Sequence, residues 1–294
     1  LASQIGENNS VKFESGDKKT KEKIWTRYIH HLERGVFVYN MEASTAQRMI
    51  FLAEQLACGL KPDCEKATFY LEMATELGTE LESGEAHYNL WCIYLDEFEN
   101  KKKAKKHLLN SVDLKFPEAL AAYGRAYWGN WLVKEDGRKA FLLIKEASDL
   151  GSEWGTELLA QCYDQGIGTK KNAPKAFSLR MSLGEDSSSQ ICCELGEHYL
   201  DGKGTAINSS EGNRLIKKSM ELGNGKAHWI AAQQIYFSDD SKKLAKKRFA
   251  ILKAAYELDD PFPLTFNKLG SSYFHGDGTK QDFNKARECF NSLL

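Results

Sequence analysis

The residues of this 294-residue sequence that could do chemistry are its cysteines, histidines, paired glycines and clustered charges, and their spacing decides among the options. The seven cysteines are odd in number and irregular. Cys58 and Cys64 lie close together, yet no second pair completes a zinc-binding pattern. Cys92, Cys162, Cys192 and Cys193 fall in apolar helical windows, where a thiol serves as a small buried hydrophobe. His30, His31 and Glu33 have no further ligand at metal spacing, and His198 and His275 are scattered. The Gly-x-Gly runs at 166–168, 202–204 and 276–278 could cradle a phosphate only after a β-strand and within a wider nucleotide-binding pattern; neither is present. There is no local nucleophile motif and no recurring acid pair. The expectation is no catalytic residue, no metal and no cofactor.

Charge narrows the partners. The net charge is -1 and the sequence pI is near 6.7, so no global field draws the chain to nucleic acid. The clusters Lys101–Lys103 with Lys105 and Lys106, and Lys242–Lys243 with Lys246–Arg248, each lie beside a helix start. No basic stripe joins them, so they read as solvated helix surface. No apolar run is long enough to cross a bilayer, which argues against membrane insertion. A signal-peptide pattern is missing too, but the chain starts at Leu1 rather than methionine, so this says little about compartment.

The elements that must position any site announce themselves by repetition. Six segments carry an apolar residue, usually a small residue, two free positions and a tyrosine, ending at Tyr94, Tyr127, Tyr163, Tyr199, Tyr236 and Tyr273. The intervals are 33, 36, 36, 37 and 37 residues. A Lys-Ala column keeps the same register at Lys66-Ala67, Lys103-Ala104, Lys139-Ala140, Lys175-Ala176 and Lys285-Ala286, with Gly212 and Arg248 filling the two missing turns. Four residues before each stand Asp63, Asn100, Asp136, Asn172, Asn208, Leu244 and Asp282. Asp and Asn there predict helix N-caps, and Leu244 predicts a helix that starts elsewhere or frays.

Each unit thus reads as helix A, ending just past the tyrosine, a glycine loop and a capped helix B. Leu-Gly at 77–78, 150–151, 183–184 and 222–223 closes helix B, where glycine can turn left-handed. The small residues Gly124, Ala160, Gly196 and Gly270 predict close approach of the two helices; Trp91 and Gln233 in that column predict looser or rearranged packing. The five prolines are few, which favours long helices.

The run of alanine, Leu-Gly-x-x-Tyr-x-x-Gly-x-Gly, Asp-x-x-Lys-Ala and Leu-Gly is nearly complete at Leu195–Leu222 and Leu269–Ala286. It resembles the Sel-one-like repeat, a relative of the tetratricopeptide repeat, from about Ala43 to the C-terminus. The resemblance implies an all-α fold: a right-handed α-solenoid of stacked antiparallel helix pairs with a period of about 36 residues. Ahead of the solenoid (42–294), residues 1–20 are polar and lysine-rich and read as a flexible arm, and 21–41, carrying Ile24, Trp25, Tyr28, Ile29 and Leu32 at helical spacing, reads as an N-terminal capping helix. Some relatives cross-link their repeats by disulfides between regularly spaced cysteines; this chain lacks that spacing.

In such stacks helix A lines the concave side. Its positions not used for packing give the candidate partner-binding residues: Tyr88, Arg125 and Trp128; Glu157, Gln161 and Asp164; Glu197 with nearby Asp201; Gln234 and Phe237; Asn267 and Phe274. The expectation is a groove with an acidic centre and aromatic anchors, suited to a protein or peptide partner with a basic segment. The blander alternative is that the aromatics finish inter-repeat packing and the carboxylates are merely solvated. Known members of the family act as adaptors in quality control, envelope assembly, host interaction and toxin neutralisation. The resemblance therefore implies a soluble, non-enzymatic adaptor or immunity-type protein of the bacterial cytoplasm or periplasm. The runner-up is a multi-partner scaffold, with an enzyme on a repeat fold far behind. Oligomeric state is left open.

Overall fold

Six of the B helices start where a short polar side chain can accept the free amides of the first turn. In the computed structural model Asp63, Asn100, Asp136, Asn172 and Asn208 each accept from the amide three residues on, at 3.0–3.1 Å. Asp282 accepts from both Asn284 and Lys285. The amide of the capping residue itself donates to the carbonyl of the repeat tyrosine, as from Asn172 to Tyr163 (2.8 Å) and from Asp282 to Tyr273 (2.9 Å). The lysine of Lys-Ala then lies over that tyrosine's ring, 4.9 Å for Lys175 on Tyr163 and 5.5 Å for Lys285 on Tyr273. The tyrosine, cap and lysine columns are therefore parts of one closed loop.

The described residues are 44–59, 62–129, 133–238, 242–258 and 262–292, with Thr26, Ile29, His30 and Glu33 ahead of them. They hold fourteen labelled helices and no strand. The first hairpin pairs α1 (Thr45–Cys58) with α2 (Cys64–Leu77), the second α3 (Glu80–Asp96) with α4 (Lys101–Asp113), and the third α5 (Pro117–Gly129) with α6 (Gly137–Asp149). Next come α7 (Glu153–Gln165) and α8 (Ala173–Leu183), then α9 (Ser189–Asp201) and α10 (Ser209–Glu221). The last two hairpins are α11 (Gly225–Ser238) with α12 (Lys242–Tyr256), and α13 (Pro263–His275) with α14 (Phe283–Asn291). From α3 onward every helix A stops two residues past its tyrosine. The helix whose cap column holds Leu244, α12, begins at Lys242, ahead of that residue. The chain forms two compact units, Leu1–Leu158 and Leu159–Leu294, divided within α7.

One expected cap differs. Gly151 and Gly223 take positive φ (94° and 81°), but Gly78 is extended at φ -81° and ψ 163°. Thr79 explains this: its side chain accepts the Glu82 amide while Glu82 accepts the Thr79 amide, a capping box that starts α3 at once. No room is left for a left-handed turn.

In the third, fifth and seventh hairpins the core is a small residue on helix A under a large one on helix B. A Cβ added to Gly124 would sit 2.6 Å from Ile144, and one on Gly196 would sit 2.8 Å from Ile216. Trp91 stands in that column yet is buried, its ring turned against Tyr88 (5.2 Å). All seven cysteines are free, with Cys162, Cys192, Cys193 and Cys289 buried and Cys92 half-buried. The arm (1–20) lies outside the described residues, as do Ile24, Trp25, Tyr28 and Leu32 of the segment 21–41. Of that segment Thr26, Ile29, His30 and Glu33 are helical; Ile29 joins the core of unit 1, and Glu33 pairs with Lys66.

This packing separates two kinds of glycine. Gly196→Val should lower unfolding stability by about 1–3 kcal/mol through overpacking. Gly151→Ala meets open space and carries only the cost of positive φ, about 1–2 kcal/mol. Urea titration, followed by relief in Gly196→Val/Ile216→Ala but not in Gly151→Ala/Ile216→Ala, checks the assignment.

Candidate functional site

The large-residue column of helix B reads Leu71, Leu108, Ile144, Arg180, Ile216 and Leu252. Five are buried apolar side chains, and the sixth is an arginine just as deeply enclosed, its side chain 4% exposed. Arg180 occupies the place where isoleucine covers the small residue of helix A in the neighbouring hairpins. A guanidinium cannot shed its charge, so its surroundings must supply compensating groups.

They come from three helices and a loop of unit 2. Arg180, on α8, donates from one terminal nitrogen to Asp164 Oδ2 at 2.8 Å and from Nε to Glu194 on α9. Lys203, in the glycine loop after α9, reaches Asp164 Oδ1 at 2.8 Å. Gln190 donates to the other oxygen of Glu194 at 2.7 Å, and Asn224 donates to Gln190 at 3.3 Å. His198 fits the network as the neutral Nδ1–H tautomer, donating to the Lys203 carbonyl while Nε2 accepts from Arg180 at 3.4 Å. Lys226, on α11, pairs with Glu197 at 2.6 Å. Arg180, Asp164, Glu194, Glu197, His198, Lys203 and Lys226 line a cleft of about 500 Å³ together with Gln161, Gln165 and Asp201.

The electrostatics follow from burial set against pairing. For Asp164, burial opposes ionisation, but the hydrogen bonds and charges of Lys203 and Arg180 outweigh it and hold the carboxyl below its ordinary value. Burial likewise opposes the charge of Lys226, and Glu197 more than offsets it. For His198 burial dominates and lowers the pKa, with Arg180 adding to it and the Lys203 carbonyl partly opposing. In unit 1 two half-buried histidines, His87 and His107, face each other Nδ1 to Nδ1 at 3.0 Å. Burial and the facing ring bring His107 down to about 4.

The candidate residues read from the sequence divide. Gln161, Asp164, Glu197 and Asp201 meet in this one cleft, but its centre is an ion-paired mosaic rather than an open acidic patch. Asp201 is exposed and makes no ion pair among the described residues. Gln234 is half-buried, Asn267 is exposed, and neither lines the cleft. Phe274 is exposed, edge-on to His275 and Phe283. The side chain of Phe237 lies outside the described residues. In unit 1 Tyr88 packs between Trp91 and Phe116, the Arg125 guanidinium lies 4.7 Å over Trp128, and Glu157 is half-buried. Sequence reasoning missed Arg180, Glu194, His198, Lys203 and Lys226. The signal for Arg180 was present, as the one charge in an apolar column four residues past the Lys-Ala alanine.

The Sel1 repeat family matches residues 49–79, 117–152, 157–179, 190–224 and 267–292, just over half of the chain. A Sel1 repeat protein from Oxalobacter formigenes is similar over 95% of this chain and 78% of its own, at 19% identity and TM-score 0.58. A protective antigen present in uropathogenic Escherichia coli strains, which displays an SLR fold, is similar over 100% of this chain and 79% of its own, at 16% identity and TM-score 0.55. A Pyrococcus horikoshii signal-transduction ATPase with a tetratricopeptide repeat sensor is similar over 93% of this chain and 44% of its own, at 16% identity and TM-score 0.53. At these identities the structural likeness concerns the fold. The unmatched stretches 80–116 and 225–266 contain Trp91, Gln233 and Arg248, the residues that break the small-residue columns.

Two outcomes follow for stability. Arg180→Met leaves Glu194 enclosed without its cation and Asp164 with Lys203 alone, and should cost about 3–5 kcal/mol in urea unfolding. Lys226→Gln, at a half-exposed pair, should cost about 1 kcal/mol or less. Both His198 and His107 bind protons more weakly folded than unfolded, so stability falls as pH drops below about 6.5, the unfolded histidine value. That loss levels off for His107 at about pH 4. Asp164 acts in a lower window, its contribution present above the unfolded value near 4 and lost beneath it. His198→Gln should flatten part of the slope between pH 5 and 7; an unchanged slope would show that His198 is not proton-linked to folding.

Proposed function

Because the chain belongs to the Sel1 repeat family, whose members generally mediate protein–protein interactions, we propose that it is a non-enzymatic protein-binding module of adaptor or immunity type, which engages its partner through the cleft around Arg180. The observation that carries this reading is the arginine itself. Apolar side chains fill the same place in neighbouring hairpins and would serve stability at least as well, since replacing buried ion pairs by hydrophobic groups is often neutral or stabilising. The charges instead hold polar groups in fixed directions at the mouth of a cleft. Four carboxylates (Asp164, Glu194, Glu197 and Asp201) face three permanent cations (Arg180, Lys203 and Lys226), leaving a small excess of negative charge.

A partner's lysine or arginine completes that balance at exposed Asp201 and can exchange with Lys226 at Glu197. Charge complementarity of this kind governs orientation and association rate more than raw affinity. Inhibition of the partner, rather than simple attachment, is the immunity-type form of the proposal.

The test uses the full chain as bait in a native lysate, with three variants alongside: Glu197→Lys, Lys226→Glu and the double exchange. A single stoichiometric partner, weakened about tenfold or more by Glu197→Lys, is the expected result. The double exchange restores the internal pair, and with it stability, but not partner affinity. Recovery of both in the double exchange would reduce Glu197 to a structural role. Many substoichiometric partners indifferent to all three variants would favour a multi-partner scaffold.

A further inference from the structure

The second hairpin, in unit 1, departs from the others where its two helices cross. The crossing lies seven residues before the repeat tyrosine on helix A and three past the alanine of Lys-Ala on helix B. In the fifth hairpin it is made by Cys192 and Leu215, the Cys192 thiol donating to the Leu215 carbonyl at 3.3 Å. Helix B holds Leu143, Leu179, Leu215 or Ile251 at this place in the third to sixth hairpins, and only the second hairpin carries histidine at either position. There both are histidines, His87 on α3 and His107 on α4, with their Nδ1 atoms 3.0 Å apart.

Two imidazoles held in this way are a ligand pair for a metal ion. At the usual metal–imidazole distance of about 2.0–2.1 Å, nitrogens 3.0 Å apart subtend about 90–97° at the ion. The nitrogens of a tetrahedral zinc site would stand about 3.3–3.4 Å apart. Cis nitrogens near a right angle instead suit the tetragonal geometry of copper(II) or nickel(II), and copper(II) leads the affinity order of the divalent ions. Both rings are half-buried, so one side of the pair is open to water. Neighbours hold the rings in place: Tyr94 stacks on His107 with centroids 5.4 Å apart and planes at 13°, and Asn110 lies 3.5 Å from His87 Nε2. Among the described residues no third histidine, cysteine, aspartate or glutamate completes a cluster, so the remaining positions fall to water.

The proton state favours binding. Burial and then Lys106 lower the pKa of His87; burial, the facing His87 and the charges of Lys106 and Lys103 bring His107 to about 4. Both rings are therefore neutral at pH 7, and protons do not compete for the nitrogens. The same lysines repel a cation, but both are exposed and screened by water and salt. In the metal-free pair one Nδ1–H donates to the other Nδ1. Coordination moves that proton to Nε2 of the same ring, so the ion enters without net proton release.

We infer that His87 and His107 form a copper(II) site that ties α3 to α4 through two cis Nδ1 ligands. The site is independent of the Arg180 cleft and of the protein-binding reading.

The experiment is titration of the full chain with copper(II) chloride at pH 7 in a buffer that does not bind copper, followed by calorimetry and electron paramagnetic resonance. One equivalent should bind with the axial spectrum of a tetragonal site and hyperfine splitting from two imidazole nitrogens. It should also raise the urea midpoint of the parent chain. His107→Leu places at the crossing the residue that three other hairpins carry, which keeps the fold, and His87→Gln keeps a hydrogen-bonding side chain. Each should weaken binding about tenfold or more, because losing a ligand costs at least what losing an outer-shell partner does. His30→Gln/His31→Gln, at the adjacent histidines of the segment 21–41, should leave affinity and spectrum unchanged. The inference is overturned if no saturable binding is seen, if His107→Leu and His87→Gln bind copper as the parent does, if the spectrum shows fewer than two imidazole nitrogens, or if the His30/His31 variant loses the site instead.

Discussion

Everything in this chain depends on how closely helix A approaches helix B. The approach is set by a small residue on one helix and a branched or long apolar residue on the other, at Gly124 with Ile144 and Gly196 with Ile216. No single hairpin buries enough apolar surface to stand alone, so the same contact must recur and successive hairpins must stack. The closed loop of tyrosine, N-cap and lysine serves that contact by fixing where helix B begins relative to the end of helix A. A function grafted onto such a frame has to enter where the contact can be relaxed.

Two places in unit 2 show the relaxation. At Arg180 the large apolar partner is exchanged for a guanidinium, and Asp164, Glu194, His198 and Lys203 gather around it. At Gln233 and Arg248 the small residues of both helices are exchanged for long polar ones, and a cavity opens. In each case the chain gives up a packing contact that its other repeats keep. Polar groups held in fixed orientation at the edge of a cleft are suited to recognition, because little ordering remains to be done when a partner arrives.

Most of the fold was legible in the sequence because its determinants are local. Asp and Asn caps, glycine loops and the tyrosine column act within about a dozen residues, and their period survives even where single members fail, as at Leu244. Gly78 escaped because its conformation is decided by the next residue, Thr79, whose capping box leaves no space for the expected turn. The candidate site was legible only by half. Gln161, Asp164, Glu197 and Asp201 were reachable by counting along helix A, but counting along one helix cannot reveal which cations arrive from another. Arg180 comes from α8, Lys203 from a loop and Lys226 from α11, so the neutralisation of the acidic centre is a tertiary fact. Tyr88 shows the same limit, since its packing between Trp91 and Phe116 is invisible from its own position.

The central claim is that Arg180 and its carboxylates serve recognition rather than folding. The most direct measurement replaces the group together, Arg180→Ile with Asp164→Ala and Glu194→Ala, and determines urea-unfolding stability and partner affinity on the same preparation. Stability should stay within about 1 kcal/mol of the parent, or rise above it, because the apolar column is restored and the one cation that loses its carboxylate, Lys203, is half-exposed to water. Partner affinity should fall at the same time by tenfold or more, about 1.4 kcal/mol or greater. A triple variant that loses several kcal/mol of stability, or one that binds its partner as the parent does, would contradict it.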